Sequence, residues 1–175
     1  LKSIILSPNI NVLHEIDSKI AYLMIVRDPR DIIVSMIKVG LNQESNNLPN
    51  QFPRNIENLC RIINRSYRLC LDKQFNNFIS ENVHFFKCEN FVENPLIELN
   101  KFCKFFSLKI EYSGELNAWK RTRDIYNDEN YKSELWGKPI SSERIKSFEN
   151  FLDKKEITLI NQNCKKILNY FNYEE

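Results

Sequence analysis

One stretch decides the fold of this chain: Lys19-Ile-Ala-Tyr-Leu-Met-Ile-Val-Arg27-Asp28-Pro29-Arg30-Asp31-Ile-Ile-Val-Ser35. Its residues 20–26 form an almost unbroken apolar run, which is too short for a globular helix and ends at a charged cluster containing a proline. Such a run is typical of a strand that is buried on both faces, as in a parallel sheet covered by helices. The sequence therefore predicts a buried strand over residues 20–26.

A helix is predicted to begin directly after this strand. Asp28 offers an N-cap oxygen, Pro29 suits the first helical position because it lacks an N–H that would be unpaired there, and Asp31 adds negative charge to the first turn. The apolar residues that follow recur about every 3.6 residues and are predicted to face a core. They are Ile32, Ile33, Met36 and Ile37. The segment is thus a strand, a tight turn and a helix.

The turn between the strand and the helix is suited to binding an anion. It presents free backbone N–H groups and the positive end of the helix dipole, at the carboxyl edge of a strand. Arg27 stands at the strand exit with a planar, permanently charged guanidinium, and Ser35 lies two helical turns further on. The two side chains can clamp one phosphate if Arg27 lies back along the helix. The same pattern also occurs with Arg27 paired to a carboxylate and Ser35 merely exposed.

Arg-Asp-Pro-Arg-Asp at 27–31, with a serine eight positions after the first arginine, resembles a segment of the sulfotransferases that use 3′-phosphoadenosine 5′-phosphosulfate (PAPS). In that family the first arginine and the serine hold the 3′-phosphate, so the resemblance implies these roles for Arg27 and Ser35. A second block, residues 83–95, is similar to the family's strand, acidic turn and Asn-Pro helix start. The resemblance covers most of the chain from about residue 18 onward.

The rest of the chain alternates between helical and strand patterns. Residues 83–88 predict a second buried strand, and Asn94-Pro95 predicts the start of a helix. A long amphipathic helix is expected from Arg54 to about Ile79. Near the end, Ser142 is expected to cap one helix, and Asp153 with Glu156 resembles a capping box that opens another. We therefore expect residues 1–175 to form a single three-layer α/β domain, P-loop-like, with a parallel sheet flanked by helices and incomplete at the N-terminus.

Two further segments bear on the nucleotide. The family often has Tyr-Glu-Asp after the second strand, whereas this chain has Cys88-Glu89-Asn90, which removes a stacking surface for the adenine. Residues 132–141 look like the late loop that closes over the nucleotide in many sulfotransferases. There Lys138 could reach a phosphate as a point charge, and Trp136 could stack on a base. The alternative is that Trp136 anchors the loop on the core and Lys138 lies in solvent.

Composition excludes several other classes of protein. The net charge of +2 gives no broad basic surface for nucleic acid, and no run is long enough to span a membrane. Five cysteines without paired metal spacing indicate reduced, buried thiols, which favours a cytoplasmic location. The chain has three glycines, at 40, 114 and 137, so it holds no glycine-rich phosphate loop. We therefore expect a fragment of a longer protein that does not transfer sulfate by itself.

The resemblance implies transfer of a sulfuryl group from PAPS to an acceptor hydroxyl or amine, with no metal. The expected partners are this nucleotide and an acceptor that the sequence does not identify. A histidine serves as the base in one branch of the family, but the position of His14 does not match it, and His84 lies inside the second strand. Two alternatives stay open: another phosphate-handling enzyme, such as a kinase-like P-loop protein, and a non-catalytic interaction domain that keeps the fold.

Overall fold

The computed structural model describes residues 9–109, 139 and 141–173. None of the helices in this part of the chain has the length and hydropathy needed to cross a membrane. The strands are β1 (Tyr22–Val26) and β2 (Val83–Lys87). The helices are α1 (Ile10–Ile16), α2 (Pro29–Ser45), α3 (Ile56–Ser66), α4 (Arg68–Leu71), a 3₁₀ helix (Lys73–Phe75), α5 (Asn76–Asn82), α6 (Cys88–Glu93), α7 (Pro95–Phe105), α8 (Phe148–Phe151), α9 (Lys154–Asn163) and α10 (Lys165–Tyr170).

The two strands pair in parallel, as predicted. Tyr22 lies opposite Val83 at the start of the pairing, and Val26 lies opposite Lys87 at its end. Both strands therefore end at the same edge of the sheet, and both run directly into a turn or helix there. This edge carries the Arg-Asp-Pro turn on β1 and Glu89 just after β2.

The first face of the sheet, which carries Met24, Val26 and Phe85, packs on the main core. Helix α2 presents Ile33, Val34 and Ile37 to this core, while Ile32 and Met36 pack at its border. The predicted inward face of α2 is thus confirmed. The remaining fully buried members come from α3, α9, α10 and the residue between the last two helices, and are Leu59, Cys60, Ile160, Cys164 and Ile167. Burial of these side chains supplies most of the driving force that holds α2, and the turn before it, against the sheet.

The second face of the sheet is covered only in part. His84 of β2 packs against three phenylalanines of the α7 region, Phe102, Phe105 and Phe106, so helices lie on both faces as in the predicted layered α/β fold. Leu23 and Ile25 of β1 point to the same face but are 43% and 59% exposed. The prediction that β1 is buried on both faces is therefore wrong for this part of the chain, because the described helices cover the β2 half of this face and leave the β1 half open.

The helix predicted from Arg54 to Ile79 is interrupted. Tyr67 ends α3 with φ −98° and ψ 4°, and Asp72 adopts extended angles that end α4. The Asp72 carboxylate accepts a hydrogen bond from the backbone N–H of Gln74 at 3.1 Å and so caps the next short helix. Asp is a strong N-cap residue and competes with helix continuation in this way. The prediction of one continuous helix is therefore wrong, and the Asp72 cap accounts for the second of the two breaks.

The first of the C-terminal helices begins later than predicted. Residues 142–147 form turns rather than a helix capped by Ser142, and α8 starts at Phe148. Lys146 has a φ of 56°, in the left-handed region, which interrupts any helix that would run through it. The predicted capping box of α9 is confirmed: Glu156 N–H donates to Asp153 at 2.8 Å, and Asp153 N–H donates back to Glu156 at 3.0 Å.

Candidate functional site

The turn after β1 is built as the sequence predicts. The Asp28 carboxylate caps α2 by accepting a hydrogen bond from the backbone N–H of Arg30 at 2.8 Å, and Pro29 occupies the first helical position. The same carboxylate forms a buried ion pair with the Arg30 guanidinium, with Nη2 to Oδ2 at 2.7 Å. Arg30 also lies over the ring of Phe148 at 4.3 Å. The Arg30 side chain therefore holds the turn against α8.

Arg27, the predicted phosphate ligand, lies between the end of β1 and Asp28. Its side chain is 24% exposed, and its Nη2 lies 3.8 Å from Oδ2 of Asp31, one helical turn along α2. Nη2 also donates a hydrogen bond to the carbonyl oxygen of Arg144 at 2.6 Å. The guanidinium thus lies along the first turn of the helix, which is the orientation that the two-residue clamp requires. The contact with Asp31 also matches the alternative in which Arg27 is paired to a carboxylate.

Ser35 lies in α2, one turn beyond Asp31, and is half-buried. Because Asp31 and Ser35 are spaced four residues apart, they lie on one face of α2, and the Arg27 side chain reaches that face from before the helix through its contact with Asp31. Ser35 and Arg27 therefore share the side of α2 that faces away from the main core residues Ile33 and Ile37. Lys138, the third predicted ligand, lies outside the described residues, as does Trp136.

Asp31 has a role that the sequence did not reveal. Its carboxylate is 1% exposed and accepts hydrogen bonds from three consecutive residues of the C-terminal part: Lys146 N–H at 2.9 Å, the Ser147 hydroxyl at 2.8 Å and Phe148 N–H at 3.1 Å. Burial raises the pKa of Asp31, and these donors and the charge of Arg27 oppose that rise. The carboxylate therefore joins the start of α2 to residues 146–148.

Glu89, in the first turn of α6 directly after β2, supports the same junction from the other side. Its Oε1 accepts a hydrogen bond from the backbone N–H of Asp28 at 2.9 Å, and its Oε2 accepts one from the Tyr173 hydroxyl at 2.9 Å. Lys87, at the end of β2, donates to the carbonyl oxygen of Phe171 at 3.1 Å and lies over the Tyr173 ring at 4.0 Å. Lys87 and Glu89 thus tie the ends of both strands to the C-terminal residues.

The two histidines lie away from this edge of the sheet. His14 packs against Tyr22, at the start of β1, and against Phe78, whereas Arg27 follows the other end of the same strand. His84 is surrounded by phenylalanines, and burial lowers its pKa. Both histidines thus make ring contacts with aromatic side chains.

The chain matches a known protein family. The profile of the family described as "Sulfotransferase domain" matches residues 9–171, nearly the whole chain. The chain therefore belongs to the sulfotransferase domain family, and the resemblance found in the sequence is confirmed. No curated protein and no solved structure matches it. Family membership supports a sulfotransferase-like function.

Proposed function

We propose that the turn after β1 binds the 3′-phosphate of PAPS, and that the protein transfers the sulfuryl group of PAPS to an acceptor hydroxyl or amine. In this reaction the bond between sulfur and the bridging phosphate oxygen breaks, and a bond between sulfur and the acceptor atom forms. The electron pair leaves with the phosphate of adenosine 3′,5′-bisphosphate, and the acceptor proton passes to a base. Membership of the sulfotransferase domain family supports this class of reaction.

One observation carries the assignment of the nucleotide site. The Arg27 guanidinium lies along the first turn of α2, on the helical face that Ser35 shares, at the carboxyl edge of the parallel sheet. A guanidinium can offer two parallel N–H groups to a phosphate, and a serine hydroxyl can add a third donor. Each such charge-assisted hydrogen bond is worth about 1.5–3 kcal/mol.

The remaining part of the proposal concerns Lys138. The Lys138 ammonium would act on the bound phosphate as a point charge. It would attract the phosphate through its charge and not through a fixed hydrogen-bond geometry. Its contribution is therefore expected to be smaller than that of Arg27 and to weaken more steeply with salt.

Titration calorimetry of the chain with adenosine 3′,5′-bisphosphate and with adenosine 5′-monophosphate tests the proposal. We expect the bisphosphate to bind more tightly, and Arg27→Ala and Ser35→Ala to reduce that preference while leaving the affinity for the monophosphate nearly unchanged. Arg61→Ala is the control for a lost positive charge, because Arg61 is exposed on α3. Equal affinity for the two nucleotides in the unmodified chain would contradict the 3′-phosphate assignment.

A further inference from the structure

We infer that Asp31 is a positioning residue for this site: its carboxylate fixes residues 144–148 on the first turn of α2 and thereby holds the Arg27 guanidinium where it meets the phosphate. The inference deepens the proposed function and rests on it. It assigns to Asp31 no contact with the nucleotide itself.

Both carboxylate oxygens accept hydrogen bonds from one short segment. Oδ1 accepts from the Ser147 hydroxyl and from Phe148 N–H, and Oδ2 accepts from Lys146 N–H. A buried carboxylate is stable only when its oxygens are hydrogen-bonded, so these three residues and Asp31 hold one another in place. Lys146 keeps a left-handed φ of 56° there, a conformation that a non-glycine residue adopts when its surroundings over-determine it.

Two contacts of the Arg27 guanidinium depend on the same arrangement. The carbonyl oxygen that accepts from its Nη2 belongs to Arg144, two residues before Lys146, and the same Nη2 lies 3.8 Å from Oδ2 of Asp31. Within residues 9–109 and 141–173, both contacts use Nη2, so the other N–H groups of the fork can be offered to a phosphate. A guanidinium held in this way loses less conformational freedom on binding than a mobile one.

Two roles of Asp31 predict opposite results. A negative charge beside the site repels a phosphate, so a carboxylate that acted only through its charge would weaken binding, and its neutralisation would strengthen binding. A carboxylate that positions Arg27 strengthens binding, so its neutralisation weakens it. The sign of the change in affinity therefore separates the two roles.

Two variants test the inference, with adenosine 3′,5′-bisphosphate as the probe. Asp31→Asn keeps an oxygen for Ser147 and Phe148 but places an NH₂ group against Lys146 N–H and Arg27, and it is expected to weaken bisphosphate binding about tenfold. Ser147→Ala removes one donor without any change of charge, and it is expected to weaken binding about threefold. The control is Glu98→Gln, because Glu98 is a buried carboxylate of α7 that pairs with Lys101 instead.

Adenosine 5′-monophosphate affinity and amide hydrogen exchange at Lys146 and Phe148 are measured in parallel. We expect both variants to leave monophosphate binding unchanged, and Asp31→Asn to speed exchange at Lys146 more than at Phe148. Bisphosphate binding that is unchanged or tighter in Asp31→Asn overturns the inference while leaving the proposed function intact. If Asp31→Asn does not fold, unchanged binding in Ser147→Ala overturns it. A lack of preference for the bisphosphate in the unmodified chain overturns the proposed function, and the inference with it.

Discussion

The Nη2 atom of Arg27 donates a hydrogen bond to the backbone carbonyl oxygen of Arg144 at 2.6 Å, although 117 positions separate the two residues in the chain. This contact brings the turn after β1 and the residues before α8 together at the carboxyl edge of the sheet. The acceptor is a main-chain atom, so its position is set by the backbone of residues 144–148 rather than by a side-chain rotamer. The contact therefore joins two distant parts of the chain at the candidate site.

Arg27→Lys is expected to lower the affinity for adenosine 3′,5′-bisphosphate about tenfold, although the positive charge is kept. A lysine ammonium can reach the Arg144 carbonyl or a phosphate, but it cannot present a rigid fork that contacts both at once. Calorimetry at two salt concentrations measures the effect, with Arg61→Lys as the control. Affinity equal to that of the unmodified chain would mean that Arg27 acts only as a point charge.

The parts of the fold that depend on neighbouring residues could be predicted from the sequence. The Asp28 cap and Pro29 at the first helical position set the start of α2 within one turn of chain, and Asp153 with Glu156 does the same for α9. The apolar period of α2 likewise identified its core face, because that period depends only on the helix itself.

Other features depend on residues that are distant in sequence, and the patterns did not show them. Asp31 has the sequence context of an ordinary first-turn acid, while its hydrogen-bond donors lie 115 to 117 positions later. The exposure of Ile25 depends on which helices cover the sheet, not on the apolar run itself. The break at Asp72 did have a local signal, since its carboxylate caps the N–H of Gln74, but the continuing apolar period outweighed it.

Gly40→Ala is expected to destabilise the protein by about 1–3 kcal/mol, because the added methyl group would have no free space beside α2. In an open helix this change would stabilise by about 1 kcal/mol. A Cβ at position 40 of α2 would instead meet the carbonyl oxygen of Phe52 at 2.7 Å and collide with Oδ1 of Asn50. That Oδ1 accepts from Phe52 N–H at 2.7 Å and shapes the loop. Urea unfolding measures the change, with the exposed neighbour Leu41→Ala as control; a stabilised Gly40→Ala would contradict the close packing.

The ion pair between Arg54 and Glu156 is expected to contribute to the acid sensitivity of the fold. Hydrogen bonding from Arg54 holds the pKa of Glu156 below its usual value of 4.5. Because the folded-state pKa is the lower one, the stability from this pair is present above about pH 4.5 and is lost as the pH falls through the folded-state pKa.

Arg54→Gln should therefore cost about 0.5–1 kcal/mol at pH 7, as expected for a pair that is open to solvent, and should flatten the loss of stability below pH 4.5. Urea unfolding between about pH 3 and 7 checks both effects. Glu149→Gln serves as the control, since Glu149 is an exposed carboxylate of α8. An unchanged acid slope in Arg54→Gln would show that the pair does not contribute in solution.

Tyr173→Phe should destabilise the protein by about 1.5 kcal/mol, the low end of the range for a hydrogen bond to a charged group. Burial, and then the charge of Glu89, raises the pKa of Tyr173, so the phenol stays protonated and donates to Oε2 of Glu89 at 2.9 Å. The phenylalanine keeps the ring under the Lys87 ammonium and removes only the hydroxyl.

Because Glu89 also accepts from the backbone N–H of Asp28, loss of the Tyr173 hydroxyl should loosen the turn that carries Arg27. We therefore expect faster amide exchange at Asp28 and adenosine 3′,5′-bisphosphate binding about threefold weaker, because the guanidinium is less well preorganised. Tyr170→Phe is the matched control, since Tyr170 is 42% exposed and packs on Phe85 and Phe171 through its ring. Lower stability with unchanged exchange at Asp28 would confine the role of Tyr173 to packing of the C-terminal residues.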